Sequence, residues 1–110
     1  MPQSIKRVNA TIQRTLGEII TKEMEYPSDL WVTIAKVNTT PDLKECTVYL
    51  SVIPYHNCGT ALNLLNHNIY RLQSALNKQT RMRYTPKIRF AIDDTEEKAE
   101  KIEKLIAQTK

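Results

Sequence analysis

Apolar side chains at Ile5, Val8, Ile12, Leu16, Ile19 and Ile20 recur every three or four positions between polar residues. That spacing predicts an amphipathic helix over residues 4 to about 25, with Ser4 as its N-cap. Lys6, Arg7 and Arg14 fall off the apolar stripe and face solvent or a partner. Tyr26-Pro27-Ser28-Asp29 ends the helix, because the residue before a proline avoids helical geometry. The β-branched run from Trp31 to Thr39 predicts a strand. Pro41-Asp42-Leu43-Lys44 supplies turn chemistry, and Cys46, Val48, Leu50 and Val52 then alternate with Thr47, Tyr49 and Ser51. The two segments predict a β-hairpin with one buried face.

Pro54 and the stretch Tyr55 to Gly59 read as a loop, and Thr60 as the cap of a short helix carrying Leu62, Leu64 and Leu65. Asn66-His67-Asn68 is a run of poor helix formers that predicts a break. A second helix follows through Ile69, Leu72 and Leu76. It places Arg71 and Lys78 two turns apart on one face, with Arg81 nearby. Ile88, Phe90 and Ile92 alternate with Lys87, Arg89 and Ala91, a half-buried strand with a basic outer face. Asp93-Asp94-Thr95 then opens a last helix, with Ala99, Ile102 and Ile106 as its buried stripe. The order helix-strand-strand-helix-helix-strand-helix predicts one α+β domain over residues 1–110. Ile12, Leu16, Ile34, Val48, Leu50, Leu72, Leu76, Ile88 and Phe90 are its expected core.

Charge changes this picture more than composition does. From Cys46 to Ile92 there are 47 residues with no Asp or Glu and six basic side chains: Arg71, Lys78, Arg81, Arg83, Lys87 and Arg89. The remaining 63 residues hold ten basic and twelve acidic groups, so the formal charge of +4 is concentrated in the middle of the chain. Such a region attracts polyanions, of which phosphate backbone is the commonest, although a basic face can also simply be solvated. Gly17 and Gly59 are the only glycines, which excludes a P-loop or a dinucleotide fingerprint. No apolar run reaches the ~20 residues of a membrane span, and the N-terminus lacks the apolar stretch of a secretory signal. Two cysteines, one in a strand pattern, point to a reduced cytosolic setting.

Catalytic and metal chemistry find little support. Asp93 and Asp94 are adjacent carboxylates, but at the start of a helix they read as caps. His56 and Cys58, with His67 and Cys46, do not form the two close ligand pairs of a structural zinc site, so no metal and no cofactor are expected. Trp31 reads as a core or hinge-packing residue, with a base-stacking platform as the alternative. The paired aromatics of an RNA-recognition motif are missing.

Asp42-Leu43, then Cys46-Thr47-Val48-Tyr49-Leu50-Ser51-Val52, then Met82-Arg83-Tyr84-Thr85-Pro86-Lys87-Ile88-Arg89-Phe90 resemble the ribosome-binding factor A family. Its marks are an Asp-Leu turn entering an Ala/Cys-x-Val-Tyr-x-Ser-Val strand, and an Arg-x-x-Pro-x-Leu/Ile-x-Phe segment. The resemblance implies a type II KH-like fold with a mixed three-stranded sheet and helices on one side. It implies a cytoplasmic, non-enzymatic assembly factor, important in the cold, that binds the immature 30S subunit and assists late maturation and processing of 16S rRNA. The implied partners are 16S rRNA and its precursor, with functional links to assembly GTPases and initiation factor three. A monomer is expected, and no membrane contact.

The family's Ala-x-Gly kink between the two central helices falls on Asn68-Ile69-Tyr70, where neither the Ala nor the Gly is present. Asn68 is expected to keep the kink through left-handed geometry. The family's Arg shortly after the kink falls on Gln73, an uncharged side chain expected to contribute nothing electrostatic, with Arg71 two residues earlier. RNA contacts are expected from Arg71, Lys78, Arg81, Arg83, Lys87 and Arg89, with Arg7 and Arg14 of the first helix. Arg83 has the alternative of bracing the fold beside Pro86. The rival reading of the whole chain is a small interaction module whose basic face binds an acidic protein. A hydrolase built on Asp93 or His56 is a third.

Overall fold

The computed structural model describes residues 4–27 and 29–93. Helix α1 (Ile5–Lys22) begins at Ser4, whose Oγ accepts from the Arg7 N–H at 3.1 Å and satisfies one orphan donor of the first turn. The helix buries Val8, Ile12, Leu16, Ile19 and Ile20 of the predicted stripe and adds Thr15, while Ile5 in the first turn is only partly buried. Strand β1 (Trp31–Thr39) pairs antiparallel with β2 (Glu45–Ile53), and β2 pairs in parallel with β3 (Lys87–Ile92). The sheet order β1-β2-β3 is therefore mixed, with β2 in the centre. Between β2 and β3 lie a 3₁₀ turn (Tyr55–Asn57), α2 (Cys58–His67) and α3 (Ile69–Gln79). The helix expected from Asp93 onward falls outside the described residues.

The hairpin turn shows why Asp42 and Leu43 stand where they do. Leu43 has φ 63°, a left-handed conformation that costs a residue with a side chain roughly 1–2 kcal/mol. Asp42 Oδ1 offsets this by accepting from Thr40 Oγ1 at 2.6 Å and from the Lys44 N–H at 3.0 Å. Those hydrogen bonds, the Thr40 hydroxyl first, hold the exposed Asp42 carboxyl below its ordinary pKa.

The core lies between the sheet and the helices. Cys46, Val48, Leu50 and Val52 of β2 meet Ile88 and Phe90 of β3, Leu72 and Leu76 of α3, and the α1 stripe. Burial pushes the Cys46 thiol pKa up, an effect the Thr39 hydroxyl partly opposes. Two polar side chains fix α1 on β1. Asn9 Oδ1 accepts from the Thr39 N–H at 3.1 Å and from its hydroxyl, while Gln13 Nε2 donates to the Ile34 carbonyl at 3.3 Å.

Three expectations need correction. Ile34 is only partly buried, because the β1–β2 register shifts between Ile34 and Lys36; this bulge moves the buried side of β1 from Val32 to Val37 and Thr39. Trp31 is not in the core: it precedes Val32, projects from the opposite side and is 70 % exposed. Helix α2 starts at Cys58 and not after Thr60, since the 3₁₀ turn feeds directly into it and no side-chain cap is needed.

Candidate nucleic-acid interface

Helices α2 and α3 are separated by Asn68 alone. Its backbone (φ −105°, ψ 14°) is not left-handed, so the expected conformation is wrong although the break is in place. The break is made by hydrogen bonding instead. Asn68 Nδ2 donates to the Leu64 carbonyl at 2.8 Å and its N–H to Leu65 O at 3.1 Å, closing the end of α2; its own carbonyl accepts from Leu72 N–H at 3.0 Å and starts α3. With its side chain turned back onto α2, Asn68 leaves the first N–H groups of α3 without a side-chain cap. Tyr70 stands beside them, 87 % exposed.

Arg71 and Lys78 do come together, as their spacing predicts. They line a shallow groove of about 560 Å³ with Ser74, Ala75, Gln79 and Glu23 from the end of α1. One Arg71 nitrogen donates to the Glu23 carbonyl at 3.1 Å and lies 3.4 Å from the Met24 sulfur. That anchors the guanidinium across α1 and α3 while its remaining N–H groups stay available. The groove carries two cations against the single Glu23 carboxylate, a balance that suits an anion. Arg81 and Arg83 are exposed in the loop from α3 to β3. Helix α3 stops before Arg83, whose guanidinium lies over the Tyr84 ring, 5.6 Å from its centroid.

The remaining basic residues lie apart from this groove. Lys87 and Arg89 alternate with the buried Ile88 and Phe90, so they project from the side of the sheet opposite the helices. Arg7 and Arg14 are exposed on α1. The eight positions thus divide between the α3 groove and its loop, the outer face of the sheet, and α1.

Gln73 carries a role that charge-based reading misses. Its Oε1 accepts from the Ile88 N–H at 2.8 Å, and its Nε2 donates to the Pro86 carbonyl at 3.1 Å and to Asn77 Oδ1 at 3.0 Å. A backbone donor and a backbone acceptor on either side of the amide fix its orientation. Gln73 therefore clasps the start of β3 to α3 beneath the basic loop. Among the described residues no group of three or more His, Cys, Asp and Glu could hold a metal ion. Nor is any helix among them long and apolar enough to cross a membrane.

The family model for ribosome-binding factor A matches residues 4–106. The chain belongs to the ribosome-binding factor A family. It is 34% identical over 107 residues to ribosome-binding factor A of Chlamydia pneumoniae, a match covering 94% of this chain and 89% of that one. With the Dinoroseobacter shibae protein it shares 31% identity over 105 residues, 93% of this chain and 78% of the relative. The crystal structure of ribosome-binding factor A from Thermus thermophilus superposes with a TM-score of 0.71 at 27% identity, covering 81% of this chain and 94% of that one. A homology model of Thermus thermophilus ribosome-binding factor A, fitted into a cryo-electron-microscopy map of a 30S–RbfA complex, matches with a TM-score of 0.65 at 29% identity, over 77% and 90% of the two chains. The described element order and mixed sheet are those of the type II KH-like fold that these structures share with it.

Proposed function

We propose that this ribosome-binding factor is a non-enzymatic assembly factor that binds the immature 30S subunit and assists late maturation and processing of 16S rRNA. It acts in the cytoplasm, as a monomer and without a cofactor. The observation that carries the reading is the α3 groove: Arg71 and Lys78 line it together from one face of α3, in a family one of whose members is fitted into a 30S complex. Arg71, Lys78 and Arg81 hold phosphates here, and Arg fits the task because its planar fork meets two phosphate oxygens at once. Tyr70 takes the place of close backbone approach by offering a ring beside the helix terminus. Arg83, braced on Tyr84, is a peripheral contact, as are Arg7 and Arg14.

Co-sedimentation of the tagged chain with precursor small subunits, mature small subunits and whole ribosomes tests this. It should pellet with free small subunits, precursors above mature ones, and be absent from whole ribosomes. Failure to associate with any small subunit, together with capture of an acidic protein in its place, would overturn the reading.

A further inference from the structure

The three helices pack on one side of the sheet, and among the described residues nothing covers the other. Its two ends differ. At one end Trp31 and Ile53 are direct cross-strand partners, 70 % and 54 % exposed. Four residues back along β2, roughly 13 Å at ~3.3 Å per residue, Tyr49 points the same way. Lys36, its partner on β1, places Nζ 4.7 Å from the ring centroid. Beyond them, on β3, come Arg89 and Lys87, with Glu45 as the one carboxylate on this side of the strands.

The geometry points to this outer face as a second RNA-contact surface, one that holds single-stranded RNA with Trp31 stacked on a base and Lys36, Arg89 and Lys87 on phosphates. The inference rests on the ribosome-binding reading and extends it beyond the α3 groove. Charge favours RNA as the occupant, because three cations stand against one carboxylate on a face that also presents the Trp31 and Tyr49 rings, the combination used by single-strand platforms. Size favours it too. Three strands of up to nine residues make a face of roughly 30 by 14 Å, or ~400 Å², about half of what each partner contributes to a standard protein interface. The same length accommodates about four nucleotides, the low end for a single-strand site. Polar Thr33 and Ser51 separate Trp31 from Tyr49, so the apolar part is too small to seat a protein core.

Trp31 is the only tryptophan, so the chain's tryptophan fluorescence reports this face alone. Titrating the full chain with a mixed-sequence single-stranded RNA octamer should quench it saturably, whereas duplex RNA and polyglutamate should not. In parallel, anisotropy of the labelled octamer should show binding weakened about 5- to 100-fold by Trp31→Ala. Lys36→Ala with Arg89→Ala should weaken it further and lower the salt slope by about 0.7 per lost contact. An octamer that does not quench, quenching equal with duplex or polyglutamate, or an unchanged affinity in the Lys36/Arg89 variant would each overturn the inference. Lys78→Ala with Arg81→Ala keeps the two claims apart. That variant should lose affinity for small subunits while quenching by the octamer persists, and loss of the quenching there would count against a separate face.

Discussion

Replacing Gln73 by Ala removes the clasp between α3 and β3 without touching a charge. The Ile88 residue is 1% exposed and Pro86 is fully buried, so the N–H and C=O that Gln73 serves have no ready route to water. Losing two such bonds costs about 0.5–1.5 kcal/mol each, and an unsatisfied buried backbone group adds ~1–3 kcal/mol. Part of this is recovered by relaxation and by the better helix propensity of Ala, which leaves ~2–4 kcal/mol. For a domain of this size that corresponds to a fall in Tm of roughly 10–20 °C, measurable by thermal denaturation followed by circular dichroism. Gln73→Glu sharpens the test. A carboxylate still accepts from Ile88 but repels the Pro86 carbonyl, while the protonated acid donates to it; this variant should therefore regain stability as the pH is lowered toward its carboxyl pKa. A Gln73→Ala protein melting within about 2 °C of the parent would refute the clasp.

Phe90, 7 % exposed and the only phenylalanine, should cost ~3–5 kcal/mol on truncation to Ala, read from denaturant unfolding; a parental midpoint would remove β3 from the core. Tyr26 donates its hydroxyl to the Ile20 carbonyl at 2.9 Å, and burial pushes its pKa up to about 12. Because the folded value lies above the unfolded one near 10, its contribution is complete below pH ~10 and is lost as the pH rises toward ~12. Tyr26→Phe should cost about 0.5–1.5 kcal/mol at neutral pH and flatten that alkaline loss, and a parental alkaline profile would contradict it.

Periodicity exposed most of the fold because most of it is periodic. The α1 stripe and the alternation of Cys46, Val48, Leu50 and Val52 each bury one side of one element, and such patterns are visible in the chain itself. β1 resisted because its bulge reverses parity: Val32 is buried on one count and Val37 and Thr39 on the other, so counting back from Val37 and Thr39 puts Trp31 on the buried side, where it does not lie. The candidate site was legible where it lies on one helix, as with Arg71 and Lys78, and illegible where it depends on tertiary contact. The Gln73 bonds to Pro86 and Ile88, 13 and 15 residues away, leave no local pattern. Asn68 keeps the helix break by capping α2 with its amide, an outcome that composition alone does not distinguish from left-handed geometry.

Binding to the small subunit turns on whether the α3 groove and its loop meet phosphate. Lys78→Ala and Arg81→Ala, made together, remove two exposed cations and leave the Arg71 anchor on Glu23 intact. Affinity for free small subunits should be measured across a salt series for the parent and this variant. The variant should bind more weakly with a parental Tm, and its plot of log affinity against log salt should be flattened by about 0.7–0.9 per contact, or ~1.6 for the pair. Equal affinity with an unchanged slope would place the electrostatic footprint elsewhere and contradict phosphate binding by the groove.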